Sequence, residues 1–139
     1  RRPAATGNLM NKTFAIIVAT LTVAGLAACG SNSADELDLS AAAQEGRGIA
    51  LEAGCASCHG ADGQGTVGPP FVGLAGAERP IQGMAEPVIA DREYLVESIV
   101  DPTAKLVEGY NLPMPRTELT DAEIDAIIVY IEELAEVEP

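Results

Sequence analysis

The chain has 139 residues, of which 47% are hydrophobic but only 4% are aromatic. This length and composition predict one small domain with appendages, and the few aromatic side chains would make only a thin core. The 21 acidic and eight basic residues give a formal net charge of −13, which excludes nucleic acid as a partner.

The first 28 residues have the features of an export signal rather than of a folded domain. Residues 1–9 precede Met10, and we interpret them as an upstream remnant. Residues 10–28 combine a positive charge at Lys12 with an apolar run over residues 14–28, which is shorter than the ~20 residues that cross a membrane. The run closes on the sequence LAAC, residues 26–29, which resembles a bacterial lipobox. The alternative is an uncleaved anchor helix with an incidental cysteine.

The lipobox resemblance implies that a lipoprotein signal peptide is cut before Cys29, and that this cysteine carries the lipid that inserts into the bilayer. Both interpretations place the domain on the extracytoplasmic, periplasmic face of a bacterial membrane. Residues 29–39 would then be a lipidated, flexible tether of roughly 15–20 Å, ahead of a domain at residues 40–139. Without the signal, five basic and 21 acidic residues remain. This net charge of −16 either serves solubility alone or also steers docking onto a basic surface.

Ser40 is a good N-cap for a first helix that we expect to run to about residue 53. Two glycines inside this helix each cost about 1 kcal/mol relative to alanine. A stripe of small residues recurs at every fourth position, at Ala42, Gly46 and Ala50. Such a stripe predicts that another helix approaches closely.

The motif Cys55-Ala56-Ser57-Cys58-His59 carries the most specific chemistry of the chain. Cys-x-x-Cys-His is the attachment pattern of a c-type haem, in which two thiols form thioether bonds and the histidine binds the iron. A zinc site would need four ligands, but His59 is the only histidine and Cys29 the only other cysteine. A thioredoxin-like redox pair would need a βαβ pattern around the motif, which is missing.

The loop after the motif contains four glycines and two prolines before Phe71, which excludes regular structure. The run CASCHGADGQGTVGPPFVGLAG, residues 55–76, resembles class I cytochromes c, most closely the cytochrome c domain of haem-copper oxidase subunit II. The resemblance implies that the carbonyl of Pro69 accepts a hydrogen bond from the axial His59, and that Phe71 packs against the haem. It also implies an all-α fold, with a few helices wrapped around one covalent haem c and with the N- and C-terminal helices crossing.

The sequence predicts an irregular segment over residues 78–90, because they contain two prolines and a glycine. Asp91 is placed to cap a short helix, which should end before Asp101-Pro102 because proline disfavours a helical residue ahead of it. We expect its buried face to be formed by Leu95, Val96, Ile99 and Val100.

The second axial ligand is expected to be Met114. Members of the family that the chain resembles carry this ligand in a Met-Pro loop before the last helix, and Met114 lies between Pro113 and Pro115. Two fixed φ angles would hold the thioether in place. The alternative ligand, Met84, has no such rigid flanks.

The last helix has the clearest start signal. Thr120 and Glu123 form a capping box, and Leu119 and Ile124 are spaced as a hydrophobic staple. The apolar residues that follow at helical spacing are Ile124, Ile127, Ile128, Ile131 and Leu134. In the resemblance, Gly46 meets Tyr130 where the two terminal helices cross. Glu132, Glu133, Glu136 and Glu138 crowd the end of this helix, either as a docking patch or as a solvated tail. If they are only a tail, docking is expected around the haem edge near Cys58.

A haem with histidine and methionine ligands has no vacant iron position, so we expect an electron carrier rather than an enzyme. The implied partners are a quinol-oxidising complex as donor and a haem-copper oxidase as acceptor, with the protein free or a subunit of such a complex. The alternative is a haem enzyme or gas sensor, which would need Met114 to leave the sixth iron position open.

Overall fold

The computed structural model describes residues 37–136. The predicted signal, Cys29 and residues 29–36 of the predicted tether lie outside this range, as does Glu138. In chain order the elements are α1 (Ala41–Glu52), α2 (Ala56–His59), β1 (Glu78–Arg79), β2 (Val88–Ile89), α3 (Arg92–Val100) and α4 (Asp121–Leu134). Within the described range, every helix is too short or too polar to cross a bilayer.

The three longer helices begin at the capping residues that the sequence predicts. The hydroxyl of Ser40 accepts a hydrogen bond from the backbone N–H of Ala43 at 3.2 Å, and Asp91 Oδ1 accepts from Tyr94 at 2.9 Å. At α4, the Thr120 and Glu123 side chains cap each other's backbone N–H groups, which completes the capping box. Each cap satisfies amide groups that have no partner within their own helix.

The core lies where α1 crosses α4, which is the most extensive contact between elements. All five apolar residues predicted for the buried face of α4 are at most 5% exposed, and Tyr130 beside them is 2% exposed. Gly46 is the close-approach point, because a Cβ built on it would lie 1.9 Å from the carbonyl oxygen of Ala126 and 3.1 Å from the Cβ of Tyr130. The predicted meeting of Gly46 and Tyr130 is therefore confirmed.

The small-residue stripe of α1 differs by one position from the prediction. Ala42 is exposed, and Ala43, at 0% exposure, lies beside Gly46 and Ala50 instead. The reason is the helical period of 3.6 residues, which makes an every-fourth-residue stripe drift around the helix. Packing also begins before Ser40, because Leu39 is 7% exposed and Leu37 packs against the core, although both were assigned to the tether.

The segment predicted to be irregular contains a short antiparallel pair, in which β1 lies beside β2 with Glu78 opposite Ile89. On α3, Leu95 and Ile99 are buried as expected, but Val100 is 43% exposed and Tyr94 is buried at 8%. Val100 is the last residue of the helix, ahead of Asp101-Pro102. The buried face of α3 is therefore shifted towards its N-terminus.

Two polar contacts tie other elements to α4. Arg92 at the start of α3 forms ion pairs with Asp125 at 2.8 Å and with Glu132 at 3.2 Å. Glu133 accepts hydrogen bonds from the hydroxyl of Ser40 and from its backbone N–H, the latter at 2.9 Å. Glu132 and Glu133, near the end of α4, are thus both engaged within the fold.

Candidate functional site

A large open cavity lies between α3, α4 and the loops that precede them. It encloses about 1360 Å³ of empty space, which includes its solvent-open mouth. The helices supply apolar walls through Tyr94, Leu95, Ile99, Ile127 and Ile131. The Cys-x-x-Cys-His motif supplies another part of the wall, so that thiols and imidazole face an apolar space.

The motif is presented by the single turn of α2. Cys55 precedes this turn, its carbonyl accepts the N–H of His59 at 3.0 Å, and Gly60 ends the turn with a φ of 85°. Cys55, Cys58 and His59 all line the cavity. Burial raises the pKa of the Cys55 thiol, which keeps it protonated at neutral pH. The two sulfurs and the imidazole are therefore available to one ligand in this cavity.

His59 is buried at 7% exposure, and its Nδ1 lies 2.7 Å from the carbonyl oxygen of Pro69. Because a carbonyl only accepts, Nδ1 carries the proton and donates it, and the lone pair of Nε2 remains free. Burial lowers the pKa of His59, and the bond to Pro69 opposes this shift only in part. The imidazole is therefore neutral at neutral pH, the form that binds a metal. This is the hydrogen bond that the family resemblance implies.

Two glycines allow the loop after the motif to fold tightly against His59. Gly63 has a φ of 71°, and a Cβ there would lie 2.6 Å from Cδ1 of Leu134. Its carbonyl accepts the N–H of Phe71 at 2.7 Å and so closes the loop. At Gly68 a Cβ would lie 3.2 Å from Cε1 of His59. Because Gly63 and Gly68 lack side chains, the loop can bring the Pro69 carbonyl within hydrogen-bond distance of the His59 imidazole.

Phe71 lines the same cavity and is 7% exposed. Its ring stacks on the imidazole of His59, with centroids 4.3 Å apart and planes 16° from parallel. The rings of Phe71 and Tyr130 are nearly perpendicular, with centroids 6.2 Å apart. The aromatic ring thus holds the imidazole from one side and contacts the helix crossing from the other.

The structure brings Met114 to the cavity and leaves Met84 away from it. Met114, with its flanking Pro113 and Pro115, lines the same cavity as His59. Met84 is 48% exposed and is not among the residues that form the cavity wall. The loop before Met114 is braced by Gln82, whose side-chain amide donates to the carbonyl of Tyr110 at 3.0 Å.

The charges at the cavity are all of one sign. Among the described residues that line it there is no aspartate or glutamate, and the charged ones are Arg79 and Lys105. Lys105 forms an ion pair with Glu97. The Nε of Arg79 is buried and lacks a hydrogen-bond partner within residues 37–136. The cavity therefore suits a ligand that is largely apolar and carries negative charge at its edge.

Comparison with protein families decides what the cavity holds. The cytochrome c family model matches residues 43–135, about two thirds of the chain. The chain is a member of the cytochrome c family. It is thus a class I c-type cytochrome with an all-α fold and one covalently attached haem c, an electron-transfer protein. No curated protein matches this cytochrome significantly.

The site fits the haem by the chemistry of its walls. The apolar sides suit the porphyrin, the two thiols suit its vinyl groups, and the two cationic side chains suit its propionate carboxylates. Sequence reasoning named the motif, Pro69, Phe71 and Met114, but it assigned no role to Arg79 or Tyr94. Arg79 lies in a segment that the sequence predicts to be irregular, and it is identified as part of the site by its place in the cavity wall and by its buried, unpartnered Nε.

Proposed function

We propose that this cytochrome is a lipid-tethered carrier on the periplasmic face of a bacterial membrane. It passes single electrons from a quinol-oxidising complex to a haem-copper oxidase or a similar acceptor, either as a free protein or as a subunit of such a complex. Its electron-transfer role follows from its family. The lipoprotein signal before Cys29 and the net charge of −16 support the tether and a basic partner surface.

The ligand assignment rests on the presence of His59 and Met114 in the wall of one cavity. In this proposal Cys55 and Cys58 would form the thioether bonds to the haem, and His59 and Met114 would bind its iron. When bound, the haem supplies an iron that gains and loses one electron. The Pro69 carbonyl keeps the proton on Nδ1 of His59, and the stacked ring of Phe71 limits rotation of the imidazole.

With His59 and Met114 both bound to the iron, substrate chemistry at the iron would be disfavoured. The chain has no second histidine to act as an acid or base. A thioether ligand and apolar walls both favour the reduced state, so a raised reduction potential is expected.

Replacing each methionine tests the ligand assignment. Met114→Ala should keep the haem covalently bound, abolish the red-region sulfur-to-iron absorption band and lower the reduction potential. Met84→Ala is the matched control and should leave the band unchanged. If the band survives in Met114→Ala and disappears in Met84→Ala, the assignment is wrong. Carbon monoxide binding to the reduced, native wild type would instead support the enzyme or sensor alternative.

The tether is tested by Cys29→Ser in a chain whose lipobox signal is replaced with a cleavable signal. The haem-loaded domain should then appear in the soluble fraction, since no acyl chain anchors it. Persistent membrane binding would show that a partner protein holds it. Copurification with large membrane subunits at fixed stoichiometry would identify it as a subunit rather than a free carrier.

A further inference from the structure

We propose that Gln82 is a positioning residue for the second axial ligand. Its side-chain amide holds the start of the loop that carries Met114, and it thereby controls how readily the methionine leaves the iron. This inference rests on the proposed ligand assignment and adds the residue that keeps the ligand in place. Gln82 is not among the residues that line the cavity, so it acts through the loop and not by contact with the haem. We call residues 111–119 the ligand segment, and the two hydrogen bonds of the Gln82 amide the brace.

The ligand segment has few polar attachments of its own. Among residues 37–136, no residue from 111 to 119 takes part in a hydrogen bond between two backbone groups. Pro113 and Pro115, on either side of Met114, have no N–H group to donate. The polar ties that remain are hydrogen bonds and ion pairs made by side chains near the two ends of the segment.

Gln82 holds the turn that precedes the ligand segment. Its Nε2 donates to the carbonyl of Val107 at 3.2 Å and to the carbonyl of Tyr110 at 3.0 Å. These residues are the two ends of a turn in which the N–H of Tyr110 donates to Val107 at 3.3 Å. A side-chain amide has two protons to donate, and the brace uses both. Within the described range, Gln82 is the only side chain that donates to a backbone carbonyl of residues 102–119.

The brace starts from a part of the chain that is fixed in the core. Ile81, next to Gln82, is 3% exposed and forms an antiparallel bridge with Val107. Two backbone hydrogen bonds, at 2.8 and 2.9 Å, flank this bridge and join residues 80–82 to residues 106–108. Beyond this short ladder, the brace ties Tyr110, the residue before the ligand segment, to the core-packed chain.

The position of the brace limits how Met114 can move. For its sulfur to leave the iron, the dihedral angles between Tyr110 and Met114 have to change. The φ angle of Pro113 is fixed by its ring, and a following proline also restricts Leu112. While Gln82 holds the carbonyl of Tyr110, few torsions are left for the movement. The loop therefore opens more easily when the brace is broken.

The polar tie on the other side of Met114 is weaker. Arg116 forms an ion pair with Asp101 at 3.2 Å, and their side chains are 67% and 52% exposed. Exposed ion pairs contribute little to stability and are screened by salt. The brace joins uncharged groups and is not screened in this way. We therefore expect the brace to have the larger effect on the loop.

Imidazole binding to the ferric, full-length holoprotein measures the opening of the loop. A nitrogen of imidazole takes the iron position that the sulfur of Met114 leaves, with no electron transferred, so the sulfur-to-iron band disappears. Because imidazole binds only when the loop is open, its apparent dissociation constant falls as the open fraction rises. The brace variant is Gln82→Ala. Its matched control is Gln44→Ala, which removes a side-chain amide that donates to the carbonyl of Leu39 at 2.9 Å, and neither residue lines the cavity.

Gln82→Ala should lower the apparent dissociation constant of imidazole about tenfold. Water competes for the exposed Gln82 amide, so each bond counts at the low end of the usual range, and two such bonds together change an equilibrium constant by about a factor of ten. Gln44→Ala should leave the constant unchanged. Gln82→Glu keeps the size of the side chain but replaces the donating amide with a carboxylate that only accepts, so its effect should be at least as large as that of Gln82→Ala. Arg116→Gln should change the constant by less than about threefold.

An unchanged constant in Gln82→Ala would overturn the proposal, and so would an equal effect of Gln44→Ala. A Gln82→Glu protein that binds imidazole like the wild type would also overturn it, since the size of the side chain alone would then suffice. An effect of Arg116→Gln larger than that of Gln82→Ala would place control of the loop after Met114 and contradict the brace. A wild-type ferric holoprotein without a sulfur-to-iron band would contradict the ligand assignment itself, which is a different outcome from a brace that has no effect.

Discussion

Replacing Gly46 with alanine should destabilise the fold, whereas the same change two residues later should stabilise it. At Gly46 a Cβ would lie 1.9 Å from the carbonyl oxygen of Ala126, against about 3.3 Å for a close C–H···O contact. The obstacle is the backbone of α4, so α1 and α4 must separate by more than 1 Å. At Gly48 a Cβ would meet no atom of residues 37–136 within 4 Å.

The expected change in the free energy of unfolding is the sum of two contributions. Both variants gain about 1 kcal/mol of helix propensity, because both glycines lie inside α1. Gly46→Ala also carries an overpacking cost, for which about 3 kcal/mol is the upper end of the usual range. We therefore expect Gly48→Ala to raise the free energy of unfolding by about 1 kcal/mol and Gly46→Ala to lower it by about 2 kcal/mol. The difference between the variants isolates the cost of the clash.

Urea unfolding of the oxidised holoprotein, followed by circular dichroism and by haem absorbance, measures both values. The haem stays attached in either variant, because its thioether bonds are covalent. Equal shifts for the two variants, or a Gly46→Ala protein as stable as the wild type, would show that the helices do not meet closely at Gly46.

Four further substitutions test the cap of α4, the aromatic stack on His59 and the ion pairs of Arg92. Thr120→Ala should lower the free energy of unfolding by about 1 kcal/mol, because it removes the cap of α4. The hydrogen bonds from Thr120 lower the pKa of Glu123 below its ordinary value of 4.5. The stability that Glu123 contributes is therefore complete above pH 4.5, and it is lost as the pH falls through the lower pKa of the folded state. Glu123→Gln should therefore lose less stability below pH 4.5 than the wild type, and an equal loss would contradict this. Phe71→Ala should lower the free energy of unfolding in urea by about 3–5 kcal/mol, because it empties a buried site beside His59. A decrease of less than about 1 kcal/mol would mean that the stacked ring contributes little to stability. Arg92→Gln should lower the free energy of unfolding by less than about 1 kcal/mol, because the ion pairs of Arg92 are exposed. A decrease of more than about 2 kcal/mol would show that these ion pairs stabilise the fold more than exposed pairs do.

Local signals in the sequence predicted the helices well. Ser40, Asp91 and Thr120 cap the helices that follow them, because each side chain bonds an amide only three residues away. Such contacts depend on neighbouring residues and need no knowledge of the rest of the fold. The buried face of α4 was equally predictable, since its isoleucines recur at the helical period.

Predictions failed where burial depends on what a helix packs against. Ala42 was expected in the small-residue stripe, but Ala43 is buried there, because a stripe at every fourth position drifts around a helix of 3.6 residues per turn. Val100 was expected to be buried, but Tyr94 takes that role from the other end of α3. A periodic pattern defines a face only to within about one position.

The sequence by itself determined the cofactor and its attachment, because five consecutive residues, Cys55 to His59, contain that chemistry. It also determined the net charge and the chemical types available as ligands. Only the tertiary structure decided which distant residues share the cavity with this motif. Packing of α1 on α4, together with the loops, brings Met114 rather than Met84 into the wall of the cavity that His59 lines, and it adds Arg79 to that wall. Among residues 37–136, it also leaves the cavity wall without acidic side chains, although the chain is strongly acidic. The reason is that the distribution of charge in space depends on how the chain folds back on itself and not on the order of its residues.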